Sequence, residues 1–145
     1  MADRVLISAC LLGAKTRYDG AGKINRPLLA RLADRCLVPV CPEQLGGLPT
    51  PRPPSYFMGG DGAEVLAGRA KLINTHGRDV TENYIRGAEE VLRIARELGA
   101  TEAYVKSRSP SCGAGHIILN GKPCEGNGVC TALLLQHGFE VHEVD

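Results

Sequence analysis

The sequence contains no tryptophan, and aromatic residues make up only 4% of it. So few flat side chains do not provide the stacking platform with which proteins bind single-stranded nucleic acid. The formal net charge is only +1, which argues against a protein that binds polyanions by bulk charge. Specific contacts remain possible, but we expect no bulk nucleic-acid binding.

Long apolar runs are also missing. The first apolar run covers only residues 5–9, which is too short for a signal peptide or a membrane span. We therefore expect a cytoplasmic protein without a membrane partner. The reducing cytosol makes structural disulfides rare, so the six cysteines are expected to bind metal, to catalyse or to pack in the core.

The chain of 145 residues is long enough for one hydrophobic core, and we expect a single domain over residues 1–145. Strand patterns alternate with helix patterns, which predicts a three-layer, Rossmann-like α/β domain with a mainly parallel sheet. Strands are predicted at residues 5–9, 37–40, 102–106, 116–119 and 139–144, the fourth followed by an Asn120-Gly121 turn. Helices are predicted from Asn25, from residue 79 or 81 to Gly99, and from Gly126 to Gln136.

Two further features are predicted between the second strand and the long helix. Residues 63–66 and 71–74 have the pattern of a small β-hairpin that leaves the main sheet. Residues 44–62 are rich in glycine and proline, too rigid for a linker and too short for a domain boundary. We interpret this segment as a lid or a wall beside a binding site.

Three cysteines follow predicted strands. Cys10 and Cys41 come directly after the first two strands, and Cys112 lies in the loop after the strand at residues 102–106. Because ligands of parallel α/β sheets bind beyond the carboxyl ends of the strands, we expect these three thiols to converge at one edge. Burial as small apolar side chains is the alternative for each of them.

The loop at residues 106–113 combines three serines, two cations and a thiol in eight residues. Its glycine and its proline favour a tight turn rich in N–H groups, which suits an anion or an anionic cluster. With Lys106 and Arg108 nearby, we expect the thiolate form of Cys112 to be favoured.

Three thiols leave one position open on a four-ligand centre, whether the centre is zinc or an iron–sulfur cube. Zinc is the weaker choice, because the sequence has no Cys-x-x-Cys pair and of the histidines only His116 lies near a candidate thiol. Cys124 is kept as a possible fourth ligand. Cys36 and Cys130 are assigned to packing.

Three motifs follow one another along the chain. The first is SACLLG at residues 8–13 with RYDG at residues 17–20, the second is VCPE at residues 40–43 with GGLPTPR at residues 46–52, and the third is KSRSPSCG at residues 106–113. In this order they resemble the thiouracil desulfurase-like family over nearly the whole chain. The resemblance implies that Cys10, Cys41 and Cys112 hold a [4Fe-4S] cluster whose fourth iron takes the sulfur of a thiolated pyrimidine base or nucleoside. Water then replaces that sulfur without net redox change.

The resemblance also implies catalytic residues. Glu43 and Ser109 match the positions to which the family's proton transfer is ascribed. Without the family, Glu43 would be interpreted as a surface acid paired with Arg52 or Arg17. Arg17, Arg52 and Arg108 are candidates for balancing the cluster's charge or for contacting a substrate phosphate.

Two other functions stay open. A non-catalytic iron–sulfur or metal-binding sensor would need the three ligands but not Glu43 or Ser109. A low-molecular-weight phosphatase also places a cysteine after its first strand, but its loop has five residues between cysteine and arginine, whereas Cys10 and Arg17 have six between them.

Overall fold

The computed structural model describes residues 3–119 and 122–145, and of His116 only the backbone. Its strands are β1 (Arg4–Ser8), β2 (Cys36–Val40), β3 (Ser55–Met58), β4 (Lys71–Asn74), β5 (Glu102–Lys106), β6 (His116–Leu119), β7 (Lys122–Glu125) and β8 (Glu140–Val144). Its α-helices are α1 (Arg26–Arg31), α2 (Pro42–Leu45), α3 (Gly62–Leu66), α4 (Thr81–Leu98) and α5 (Val129–Gln136).

The main sheet is parallel and has the order β2-β1-β5-β8. Successive side chains of a strand point to opposite faces, and in β1 they enter different cores: Leu6 packs with α4 and α5, whereas Ile7 packs with α1. Helices thus cover both faces, which confirms the predicted three-layer α/β fold. β2 lies at one edge of the sheet. Pro39 suggests this position, because proline has no N–H group to donate to a neighbouring strand.

A small second sheet has the order β4-β3-β6-β7. β3 and β4 are antiparallel, β6 and β7 are antiparallel, and one parallel contact between Phe57 and Leu119 joins the two pairs. Each pair is inserted between a strand of the main sheet and the next long helix. The small sheet is therefore built from two excursions of the chain.

Local signals place the helices well. Asn25 caps α1, its side chain accepting a hydrogen bond from the backbone N–H of Leu28. α4 ends at Gly99, which adopts the left-handed conformation that a helix C-terminus favours. The start of α1 and the end of α4 agree with the prediction, because the capping of a helix depends on residues that are close in sequence.

The predicted hairpin of residues 63–66 and 71–74 is wrong. The first segment lies in α3, because Asp61 caps that helix by accepting a hydrogen bond from the backbone N–H of Glu64. The second segment is β4, and it pairs with β3 rather than with residues 63–66. A four-residue apolar pattern does not distinguish one helical turn from a strand.

The predicted wall of residues 44–62 contains two elements that the sequence analysis missed, the end of α2 and the strand β3. β7, at Lys122–Glu125, was also missed. The predicted turn at Asn120-Gly121 lies outside the described residues. Within the described part of the chain, every helix is too short or too polar to cross a bilayer.

Candidate functional site

A cavity of about 600 Å³ opens at the carboxyl edge of the main sheet. Cys10, Cys41 and Cys112 all line it, and they follow β1, β2 and β5, which are direct neighbours in the sheet. The predicted convergence of the three thiols is therefore what the structure shows. Glu43 and Ser109 line the same cavity.

Short turns after the strands hold the first two cysteines. Cys10 lies in the 3-10 turn Ala9–Leu12, which β1 enters directly. Cys41 precedes α2, and its Sγ lies 3.8 Å from the carbonyl oxygen of Thr16. Neither cysteine can shift far without moving a strand of the main sheet.

The N-terminus of α5 holds the third cysteine. The backbone N–H of Val129 donates to the carbonyl of Pro110, and that of Cys130 donates to the carbonyl of Ser111, both at a distance of 2.8 Å. Thr131 Oγ1 donates to the carbonyl of Cys112 over 2.7 Å. The helix therefore uses its free N–H groups to fix the loop that carries Cys112.

Burial controls the acidity of the thiols. It raises the pKa of Cys112 to about 12, although hydrogen bonds from Ser8 and Ser111 act in the opposite direction. Burial also raises the pKa of Cys10, and the charge of Cys41 raises it further. The charges of Lys106 and Arg17 lower it, but by less. The expectation of a favoured thiolate at Cys112 was wrong, because desolvation outweighs the nearby donors. Metal binding at these thiols must release protons.

The spacing of the thiols bears on the kind of metal centre. Glu102, Glu140 and His142, on β5 and β8, have ligand atoms that all lie within 4.8 Å of one another. Among residues 3–119 and 122–145 they are the one trio of His, Cys, Asp or Glu side chains that lies so close. The three cavity thiols do not form such a trio, so as they lie they are not arranged around one ion, whose ligands must all be in contact with it. A cluster distributes its ligands over several irons and tolerates wider spacing. The donor set therefore fits an iron–sulfur cluster better than a single zinc.

The remaining cysteines do not line the cavity. Cys36 is exposed at the start of β2, and Cys124 lies on β7, where it packs partly against the core. Cys130 is buried behind Cys112, close enough for the charge of Cys112 to affect its pKa. Cys124 is therefore not placed as a fourth ligand, and Cys130 packs directly behind the site. The assignment of Cys36 to packing was wrong, because Cys36 is exposed. Nothing is described of the His116 side chain.

Glu43 is held at three points. Its Oε1 accepts hydrogen bonds from Arg52 Nε over 2.8 Å and from the Tyr84 hydroxyl over 3.2 Å. Its Oε2 accepts one from Ser111 Oγ over 3.1 Å. Burial, and to a lesser extent the charge of Glu43, raise the pKa of Tyr84 well above its usual value. The Tyr84 hydroxyl therefore keeps its proton and donates it to the hydrogen bond. The carboxylate is thus fixed in one orientation beside the thiols.

Ser109 is also fixed by its surroundings. Its Oγ accepts hydrogen bonds from the backbone N–H groups of Ser111 and Cys112, over 3.2 and 3.1 Å. The same oxygen lies 3.0 Å from Ser111 Oγ. Ser109 is therefore joined to Glu43 through Ser111.

The candidate cations divide into two kinds. Arg52 is buried and makes four hydrogen bonds, to Glu43, Pro49, Thr50 and Thr16, so it orients the acid and is not free for a phosphate. Cations that line the cavity without such a network are Arg17, Lys23, Lys106 and Arg108. They can balance negative charge in the cavity.

A backbone contact between α2 and α4 sets the position of Glu43. A Cβ atom on Gly87 of α4 would lie 1.9 Å from the carbonyl oxygen of Pro42, and one on Gly46 would lie 1.9 Å from that of Asn83. Both glycines are therefore required by close approach rather than by φ. α2, which begins directly after Cys41 and carries Glu43, therefore packs closely on α4.

We predict that Gly87→Ala destabilises the protein by about 1–3 kcal/mol, the usual cost of overpacking. In an unobstructed helix the same change is stabilising, so the sign itself tests the contact. Displacement of Pro42 should also lower iron retention. Thermal melting and iron content are measured beside Glu89→Ala, an exposed change on the same helix, and equal melting temperatures for the two variants would contradict the contact.

Two residues of the site were not predicted. Tyr84 was counted as a core position of α4, and it is buried, but its hydroxyl reaches Glu43. Ser111 lay unremarked between Ser109 and Cys112. The only signal for Tyr84 was a polar tip on a core position, since a buried tyrosine usually finds a hydrogen-bond partner.

Comparisons with known proteins agree with one another. A family model described as 2-thiouracil desulfurase matches residues 5–145. The uncharacterized protein YbbK of Bacillus subtilis (strain 168) is 41% identical over 140 residues, which is 94% of this chain and 93% of that protein. The solved structure of the [4Fe-4S]-dependent thiouracil desulfidase TudS matches with a TM-score of 0.81 at 38% identity, covering 97% of this chain and 90% of that one. The similarity in sequence and fold therefore extends over nearly the whole chain.

Proposed function

Because the chain belongs to the 2-thiouracil desulfurase family, we propose that it is a [4Fe-4S]-dependent desulfurase acting on a thiolated pyrimidine base or nucleoside. In the overall reaction, a thiocarbonyl group and water give a carbonyl group and hydrogen sulfide, with no electrons gained or lost. The observation that carries the proposal is the cavity in which three thiols lie beside Glu43 and Ser109.

Cys10, Cys41 and Cys112 are the residues that would hold the cluster. When bound by three thiolates, a [4Fe-4S] cluster keeps one iron open as a soft Lewis acid for sulfur. Burial raises the pKa of Cys10, and the nearby charges of Lys106 and Arg17 oppose that rise. Their charges therefore favour the thiolate form that a metal ligand needs.

The cavity walls suit a flat ring. Tyr56 and Ile118 of the small sheet line the cavity, and so does Tyr18 of the loop after β1; all three remain partly exposed. Apolar and aromatic walls with a few fixed polar groups are typical of small-molecule sites. A volume of about 600 Å³ also leaves room for more than a free base, so nucleosides are included in the proposed substrate class.

Glu43 and Ser109 are proposed to move the protons. Glu43 takes a proton from the attacking water, whose oxygen becomes the carbonyl oxygen of the product. Glu43 returns that proton to the departing sulfur and then passes on the second proton of the water, which is released when the hydroxyl group on the ring carbon becomes the carbonyl group, so the sulfur leaves as hydrogen sulfide. Arg52 and Tyr84 both donate to Oε1, whereas among the described side chains Ser111 alone donates to Oε2, so Oε2 is the oxygen that exchanges protons.

Anaerobic turnover tests the proposal. After reconstitution with iron and sulfide, the protein is expected to convert at least one of 2-thiouracil, 4-thiouracil and 4-thiouridine. Loss of thiocarbonyl absorbance should match the sulfide released, one for one, without added reductant. Protein that has not been reconstituted is the control.

Three results would contradict the proposal in different ways. A protein that holds a full cluster but is inactive on all three compounds favours the non-catalytic sensor. A protein that retains no iron or acid-labile sulfide excludes both the enzyme and the iron–sulfur sensor. A requirement for a reductant in every turnover would exclude the hydrolytic reaction.

A further inference from the structure

The loop of residues 14–22 carries part of the cavity wall but has no anchor in either hydrophobic core. Arg17 and Tyr18 line the cavity, and Tyr18 is 43% exposed. None of residues 14–22 is buried, so apolar packing does not fix this segment. Segments with few buried contacts open at low free energy. The position of the loop must therefore depend on its hydrogen bonds.

The hydrogen bonds within the loop fix its turns but not its place beside the cavity. The N–H of Arg17 donates to the carbonyl of Ala21, and the N–H of Gly20 donates to that of Arg17. One end of the loop is tied to the turn that holds Cys10, since the N–H of Lys23 donates to the Cys10 carbonyl over 2.8 Å. The middle of the loop needs a contact from another part of the chain.

Arg52 supplies that contact twice. Its backbone N–H donates to the carbonyl of Tyr18 over 2.8 Å, and its Nη2 donates to the carbonyl of Thr16 over 2.9 Å. In the part of the chain that the structure describes, the only other group outside the loop that bonds to residues 16–20 is the Cys41 thiol, 3.8 Å from the same Thr16 carbonyl. Arg52 is therefore the main tether of the loop.

We propose that Arg52 is a positioning residue for substrate binding. Its guanidinium holds the loop of residues 14–22 in place, and the loop in turn presents Tyr18 and Arg17 to the substrate. The role in binding rests on the proposed function, whereas the tether itself can be tested without substrate.

The guanidinium suits this role because it is itself fixed. Its side chain is only 4% exposed, its Nε bonds to Glu43, and its Nη1 bonds to the Pro49 carbonyl and to Thr50 Oγ1. With these bonds made, the planar group directs Nη2 at Thr16. A lysine ammonium carries its three donors on one atom, so lysine can keep the charge beside Glu43 but cannot reach all of these partners.

Limited tryptic digestion tests the tether on the protein as purified. Lys15 and Arg17 are cleavage sites within the loop. Arg52→Lys is expected to raise the initial rate of cleavage at both sites about tenfold or more, the usual effect of losing a hydrogen bond from a charged donor. Cleavage after Arg69 and Arg78, exposed residues on either side of β4 that do not line the cavity, should be unchanged. An equal rise at all four sites would indicate general destabilisation and overturn the tether.

A free guanidinium ion separates the tether from a loss of packing. In Arg52→Ala, guanidinium below denaturing concentration should restore slow loop cleavage in a saturable manner, and sodium chloride at equal ionic strength should not. Arg35→Ala is the matched control, because it removes another arginine paired with a glutamate, Glu102, outside the cavity. Its loop should be cleaved slowly with or without guanidinium. Arg52→Lys keeps a charge beside Glu43, so the digestion test stands even where Arg52→Ala does not fold.

Steady-state kinetics of the reconstituted enzyme test the role in binding. Arg52→Lys should raise KM severalfold for the thiolated compound that is turned over, because apparent affinity falls with the fraction of molecules whose loop is in place. In a Tyr18→Ala background the same change should add little to KM, since the two residues act through one contact. Arg52→Lys should also lower kcat, because Arg52 bonds Glu43. Glu43→Gln should leave both KM and loop cleavage close to wild type.

The outcomes distinguish this inference from the proposed function. An inactive wild type overturns the proposed function and the role of Arg52 in binding, while the digestion still decides whether Arg52 holds the loop. An active wild type whose loop is cleaved no faster in Arg52→Lys overturns this inference alone. Faster loop cleavage with an unchanged KM also overturns it, because the loop would then contribute nothing to binding.

Discussion

Cys41→Ser is expected to lower iron retention about tenfold or more and to abolish desulfuration with it. Removal of a residue that merely orients a ligand already costs 10–100-fold in metal affinity, and a ligand itself should matter at least as much. Cys41 is the sharpest choice of the three, because it is only partly buried whereas Cys10 and Cys112 are buried. Serine at Cys41 removes a sulfur ligand without placing a hydroxyl in the core.

Iron and acid-labile sulfide content after anaerobic reconstitution is the measurement. Cys36→Ser and Cys124→Ser should retain wild-type iron, since neither residue lines the cavity. Cys130→Ala is the stability control, because it removes a buried sulfur behind Cys112 and should lower the melting temperature more than the iron content. Equal iron loss in all four variants would indicate general instability and contradict the ligand assignment.

Glu43→Gln is expected to slow turnover by about 10²–10⁴-fold while the cluster is retained. The amide keeps the shape of the side chain and can still accept from Arg52 and Tyr84 through its oxygen. It cannot take up and return a proton. The thiolated compound should therefore still bind, and the oxygenated product should form slowly.

The matched control is Glu102→Gln. Glu102 is also partly buried and paired with an arginine, Arg35, but it lies on β5 away from the cavity. The pKa of Glu102 is lowered mainly by the Arg35 hydrogen bond, so this variant should lose stability and retain turnover per cluster. Rates are compared at equal iron content. Full activity of Glu43→Gln would favour the sensor.

The sequence predicted the elements whose signals are local and repeated. α4 has a long apolar period and ends at a glycine, and the strand at Glu102–Lys106 was predicted with the bounds that the structure has. Parallel topology then placed three thiols at one edge, because the carboxyl ends of parallel strands meet there. The ligand and acid–base roles of these residues remain predictions.

The parts that were missed depend on distant partners. β3 and β7 become strands only because they pair within the small sheet, and β7 contains Pro123 between charged and polar neighbours. α3 was misread because one turn of helix and a short strand have similar apolar patterns. The link from Tyr84 to Glu43 joins residues 41 positions apart, which no periodicity can indicate.

The two sheets contribute different residues to the cavity, and these residues come from separate parts of the chain. The strands of the main sheet that carry the thiols are fixed neighbours, so the spacing of Cys10, Cys41 and Cys112 is set by a hydrogen-bonded framework. Tyr56 and Ile118, which line the cavity, belong to the inserted small sheet. Under the proposed function, sequence change in the insertions can therefore alter which ring is accepted while the framework that spaces the three cysteines is inherited unchanged.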